Sequence, residues 1–231
     1  MKSNHCFLGF LVTFLLSDGA ETQPAQESLK PQRVRFLSQN FHNILHWQPG
    51  KALMGNHSNY FVQYKVYGQR QWTNKKDCWG IPELLCDLTN ETLDIREPYY
   101  GRVRAAAAGI SSRWSMSPRF TPWWESKIDP PLMNITQVHG SLLVSLCTPN
   151  FPYRDTKGNN ASVEDYYGIV YQVFIISNSL EKEQKVYEGK RRVVKIEALP
   201  SQSSYCLSAK IYQPMLDKRS ARSQERCVGI L

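Results

Sequence analysis

The chain has no Gly-x-Ser-x-Gly turn, no His-Glu-x-x-His and no glycine-rich phosphate loop. The patterns that commonly mark nucleophilic, zinc-dependent and phosphoryl-transfer enzymes are therefore missing. No Cys-x2-Cys spacing occurs, which removes the usual structural zinc pattern. His42 and His46 could share a strand face, but neither has a plausible nucleophile nearby in sequence. After residue 20 no apolar run reaches the length of a bilayer span. These gaps point to a binding protein with no enzyme activity, no cofactor, no metal and no membrane span.

The first twenty residues read as a secretory leader: Lys2 gives a positive start, Phe7 to Leu16 an apolar run, and Ser17, Gly19 and Ala20 small residues for cleavage near 19–21. The chain stops at Leu231, four residues after Cys227, and no stalk, anchor or cytoplasmic tail is read there. The product is expected free in the extracellular fluid. Net charge is +8. Outside the cell such a charge favours an acidic protein or weak binding of sulfated glycans over nucleic acid. The densest basic spots are Lys190-Arg191-Arg192 and Lys218-Arg219 with Arg222.

Cysteine is scarce. Cys6 leaves with the leader, and Cys78, Cys86, Cys147, Cys206 and Cys227 remain in an oxidising compartment. Pairing Cys78 with Cys86 and Cys206 with Cys227 keeps each half of the chain self-contained. Cys147 falls on the face opposite Leu142, Val144 and Leu146, and reads either as a dimerisation point or as a quiet free thiol. Four Asn-x-Ser/Thr sequons, at Asn56, Asn90, Asn134 and Asn160, predict surface glycosylation.

What the chain does contain is a repeat. Tyr99, Gly101, Val103 and Ala105 alternate as one buried strand face, and Tyr205, Leu207, Ala209 and Ile211 do the same 106 residues later. A leucine precedes each tyrosine by six residues, at Leu93 and Leu199. A tyrosine at a strand entry is the corner device of immunoglobulin-like sandwiches. Prolines and glycines, 13 of each, are spread at short intervals, which suits many short strands.

Strands are predicted near Val34 to Leu37, Phe41 to Trp47 and Tyr60 to Tyr67, with residues 78–86 a short bridged excursion, followed by strands from Tyr99 and around Trp114. The second copy has strands near 132–138, 141–147, 166–176 and 191–198, from Tyr205, and near 223–229. The fold class is all-β: two tandem β-sandwich domains, 29–119 and 129–231, joined by a short Pro/Trp-rich elbow at 120–128. Trp123 and Trp124 are expected to pack against both domains and fix its angle. Strand direction brings residues 67–69, 90–98, 118–122, 150–163 and 212–220 to that elbow, and loops on rigid scaffolds are the usual seat of recognition. Large side chains there, such as Tyr67, Phe120, Tyr212 and Met215, are of the kind that anchor interfaces.

With its two cysteine pairs, Tyr67-Gly68 at the end of a strand and a tryptophan-rich elbow, the chain resembles a class II cytokine receptor ectodomain. The stretches NFHNILHW, YFVQYKVYGQ, PRFTPWWE, SLEKEQKVYEG and SSYC carry the likeness along the whole chain. The resemblance implies two fibronectin type III-like domains. It also implies a helical cytokine ligand, interleukin-22, bound one to one by a monomeric decoy that keeps it from its membrane receptor. By position it implies ligand contacts at Tyr67 and Gly68, at Arg119 and Phe120, and at Pro214 and Met215. The competing reading is a secreted fibronectin III adhesion or glycan-binding matrix module, holding sulfated glycans at 190–192 and 218–222.

Overall fold

A computed structural model describes residues 18–51, 58–138, 140–154, 158–177, 183–197, 199–200 and 203–230. The expected leader up to residue 17, and the sequon at Asn56, lie outside the described residues. A helix, α1 (Asp18–Leu29), precedes the strands β1 (Gln32–Gln39), β2 (His42–Gln48), β3 (Asn59–Val66), β4 (Thr73–Ile81), β5 (Leu85–Asp87), β6 (Tyr99–Ala107), β7 (Ile110–Ser111) and β8 (Ser115–Met116). A one-turn helix, α2 (Pro122–Glu125), follows. The second half holds β9 (Leu132–Val138), β10 (Ser141–Cys147), β11 (Asn150–Arg154), β12 (Asn160–Ser162), the turn α3 (Val163–Tyr166), β13 (Val170–Ser177), β14 (Glu183–Gly189), β15 (Val193–Ile196), β16 (Ser203–Gln213), β17 (Lys218–Arg219) and β18 (Arg226–Ile230).

Each half is a sandwich of two sheets. In the first, β1-β2-β5 faces β4-β3-β6-β7, with β8 also on β6; in the second, β15-β10-β9 faces β14-β13-β16-β17, with β18 also on β16. The strand order repeats between halves, as the tandem reading requires. The alternating residues of β6 and β16 point inward: Tyr99, Val103 and Ala105, and Tyr205, Leu207, Ala209 and Ile211, are all buried. Gly101 belongs to this face because a Cβ there would stand 2.8 Å from the Leu45 side chain. Both tyrosine corners close, with the Tyr99 hydroxyl donating to the Asp94 carbonyl at 3.0 Å and the Tyr205 hydroxyl to the Pro200 carbonyl at 3.2 Å. Burial, then the Asp94 charge, pushes the Tyr99 phenol up to about 12, so it stays a donor.

The two disulfides are Cys78–Cys86 and Cys206–Cys227. The first is no excursion. Cys78 lies on β4 and Cys86 on β5, which pair with β3 and β2 in opposite sheets, so the bridge ties the sandwich layers together. The second joins directly opposed residues of β16 and β18. Cys147 is unbonded and exposed. Three further differences have physical reasons. Residues 150–163 are not an open loop: β11 and β12 form a small hairpin that buries Phe151, Tyr153 and Ala161. The strand expected from residue 166 starts at Val170, because α3 takes up residues to Tyr166, with Ser162 and Asp165 forming a reciprocal cap. β14 escaped prediction because its outer position leaves Glu183, Lys185 and Glu188 in place of an apolar face.

His46 on β2 tests the first domain by pH. Burial, then the Arg35 charge, holds its pKa below the ordinary 6.5. The folded state thus resists the proton that the unfolded chain accepts. This part of the stability is complete above about pH 6.5 and is lost as pH falls below it. Urea unfolding at pH 7.5 and 5.0 is expected to show a smaller acid loss for His46→Gln than for the native chain. Equal losses would contradict the assignment.

Candidate functional site: the interdomain elbow

The elbow is built around a turn. Gln39 pairs with His42, leaving the two-residue loop Asn40-Phe41 with φ of 49° and 62°. A hairpin turn with both central residues in the left-handed region suits Asn-Gly, and a bulky side chain at the second position is strained. The ring explains why it is there. Phe41 is 0% exposed and reaches out of its own domain into the core of the second. It meets Phe151 edge-on at 4.5 Å and lies nearly parallel to Tyr167 at 5.9 Å.

Polar contacts lock the turn onto the linker. Asn40 N–H donates to the Lys127 carbonyl at 2.7 Å, Lys127 N–H to the Ser38 carbonyl at 3.0 Å, and Phe41 N–H to Ser126 Oγ at 2.8 Å. The Asp129 carboxylate accepts from Asn40 Nδ2 and Gln39 Nε2, both at 2.6 Å, and its own N–H donates to Asn40 Oδ1 at 2.9 Å. From the second domain, the Tyr153 hydroxyl donates to the Phe41 carbonyl at 3.3 Å and the Tyr167 hydroxyl to the Trp123 carbonyl at 2.9 Å. Burial raises both phenol pKa values, which keeps them as donors. The tryptophan pair divides. Trp123 is buried between Arg96, 5.0 Å from its ring, and Tyr167, at 4.3 Å. Trp124 is 59% exposed, so the expectation that both tryptophans clamp the domains is corrected to one. Adjacent residues in a one-turn helix cannot both face the same core.

On this frame sit the residues expected to meet a ligand. Tyr67 follows β3, its N–H held by the Pro98 carbonyl at 2.7 Å, and its side chain is 55% exposed. Gly68 has φ +85° with no atom within 4 Å of a built Cβ, so conformation and not space demands glycine. Arg119 places its guanidinium 5.8 Å from the Tyr67 ring, and Tyr100 lies beside that ring at 6.2 Å. Phe120 is different. It is buried, stacks on Phe36 at 4.3 Å, and exchanges backbone hydrogen bonds with Tyr99 at 2.7 and 2.9 Å. Its ring is not available to a ligand, because residues alternate across this extended segment and Arg119 takes the outward place. Pro214 opens a short 3-10 turn on which Met215 is 81% exposed. Asp217 ends that turn at φ 45°, accepting from Tyr212 and Arg219 at 3.2 Å each, while the Lys218 ammonium donates to the Trp124 carbonyl. Asn90, Asn134 and Asn160 are exposed.

Phe41 was missed as an elbow residue because it reads as the start of a strand. The usable signal was Asn40-Phe41 between two alternating runs. No group of three His, Cys, Asp or Glu side chains among the described residues is placed to hold a metal ion. No described helix is long and apolar enough to cross a membrane.

Comparison with known proteins matches the same two units. The family model for tissue factor matches residues 7–114, and that for the fibronectin type III domain of the interferon-alpha/beta receptor matches residues 126–230. Interleukin-22 receptor subunit alpha-2 of Homo sapiens is 62% identical and that of Mus musculus 61%, each over the whole of both chains. Interleukin-20 receptor subunit alpha of Homo sapiens is 31% identical over 87% of this chain and 36% of its own length. A crystal structure of the chicken interferon gamma receptor alpha chain shares the fold, with a TM-score of 0.67 at 24% identity, covering 87% of this chain and 97% of that one. The receptor domains and the fold are non-enzymatic. The chain belongs to the class II cytokine receptor family, and its sequence follows the interleukin-22 receptor alpha-2 proteins from end to end.

Proposed function

We propose that the chain is a secreted decoy receptor that binds interleukin-22 at the elbow, one to one, and blocks its access to the membrane receptor. The near relatives named for interleukin-22 support the ligand. The observation that carries the site is the exposed Tyr67 ring, flanked by Arg119 and mounted on a bend made rigid by Phe41 and Trp123. Preorganised loops lose less entropy on binding than mobile ones. In this reading Tyr67 inserts its ring in a pocket of the cytokine, Gly68 lets the backbone approach, and Arg119 pairs with a carboxylate. Pro214 and Met215 add apolar contact from the second domain. Phe120 acts from inside, holding Arg119 outward. Glycans at the sequons Asn56, Asn90, Asn134 and Asn160 complete the secreted form.

The test is surface binding of the purified chain to interleukin-22, followed by competition with the ectodomain of interleukin-22 receptor subunit alpha-1. Saturable one-to-one binding that excludes the competitor is expected. No binding by the folded, disulfide-bonded chain would overturn the ligand, and simultaneous binding of both receptors would overturn the decoy mechanism.

A further inference from the structure

Much of the basic charge that is densest in sequence is engaged in the fold. Arg192 pairs with Glu164, Arg219 with Asp217 and Arg222 with Glu183. A different group of cations pairs with no carboxylate among the described residues, on the outer face of the β4-β3-β6-β8 sheet in the first domain. Register sets Lys65, Gln63 and Phe61 of β3 opposite Tyr100, Arg102 and Arg104 of β6. Side chains of directly paired residues share a face, as do alternate residues on a strand. This face therefore carries Lys65, Arg102 and Arg104.

Aromatic rings separate the three cations. Arg102 lies over Trp72 at 4.1 Å and Trp114 at 4.5 Å. Arg104 lies over Trp114 and Phe61, each at 5.1 Å, and 5.8 Å from Trp79. Lys65 sits 4.9 Å from the Trp72 ring, and its ammonium donates to the Gln69 carbonyl at 3.2 Å. None of the three forms an ion pair with a carboxylate among the described residues. Arg102 Nε donates to Gln63 Oε1 at 2.7 Å, whereas Arg104 Nε is buried and has no acceptor. Burial, then the charge of Arg104, lowers the Arg102 pKa: the two guanidinium groups repel each other. The rings hold them in fixed orientations, which limits the entropy lost on meeting an anion.

We propose that this face binds a sulfated polysaccharide, with sulfate groups on Arg102, Arg104 and Lys65. Sites on alternate residues of a strand recur about every 7 Å, and a flat row of this kind suits an extended, repeating polyanion. Guanidinium offers paired donors to an oxyanion, while the partly exposed Trp79 and Met116 beside the row offer apolar surface to the sugar rings. The row starts at Tyr100, next to Tyr67, and runs along β6 away from the elbow. It is thus a second surface, whose existence does not depend on interleukin-22 binding.

Heparin is the probe. Its affinity for the full chain is measured across a series of salt concentrations. Each cation removed from the contact is expected to reduce the log–log salt slope by about 1. Arg102→Gln with Arg104→Gln should lose about 2, and Lys65→Gln, which leaves both arginines and their rings in place, about 1. Lys190→Gln with Arg191→Gln should leave the slope unchanged. The proposal fails if Lys65→Gln keeps the native slope, or if the 190–191 variant loses as much as the arginine variant. Displacement of bound heparin by single-stranded DNA of equal charge, at equal concentration, would reject the polysaccharide as the ligand class.

Discussion

Phe41→Ala is expected to lower folding stability by about 3–5 kcal/mol, the cost of emptying a well-packed aromatic site. The ring is fully buried between Phe151 and Tyr167. For a chain of this size the shift in melting temperature is about 6–20 °C. Alanine keeps the left-handed backbone of the turn and therefore its strain. Phe41→Gly loses the same ring but removes that strain, and should recover about 1 kcal/mol relative to alanine. Thermal and urea unfolding of the three proteins separates the two contributions. If both variants melt like the native chain, the hairpin is a passive contact and not the fixing element of the elbow. If glycine is the worse of the two, the turn is not strained.

Tyr67→Ala is expected to weaken interleukin-22 binding by about 2–4 kcal/mol, or roughly 30- to 1000-fold, with no change in melting temperature. The ring is more than half exposed, so little packing is lost in the free protein. Tyr67→Phe keeps the ring and removes only the hydroxyl, and should cost about 1 kcal/mol if that group finds a neutral partner on the cytokine. Arg119→Ala separates the cation beside the ring from the ring itself. Native affinity for Tyr67→Ala would move the binding site away from the end of β3.

The parts of this fold that were legible are those governed by a local period. Alternation along β6 and β16, the tyrosine at each entry and the Cys206–Cys227 pair are all read within a dozen or two residues. What escaped depends on distant partners. The cost of Phe41 in a positive-φ turn is local, but the aromatic pocket that offsets it begins at Phe151. Arg119 and Phe120 are neighbours of similar size, and only the Tyr99 backbone and the Phe36 ring decide which of them turns inward. The double tryptophan gave no hint of which ring would be covered. Charge was the least legible property. Runs of lysine and arginine look free in sequence, yet several are matched by carboxylates brought in from other strands, whereas Lys65, Arg102 and Arg104, scattered in sequence, converge on one sheet.

The outer strands β4 and β14 bear on how the molecule behaves at high concentration. Each bounds the larger sheet of its domain, and an open strand edge is a template on which another chain can add by backbone pairing. β4 carries Lys75, Lys76 and Asp77 along its length, and β14 carries Glu183, Lys185 and Glu188. Docking a second sheet there would strip water from these charged side chains. These two edges thus discourage the addition of a further strand at β4 and β14.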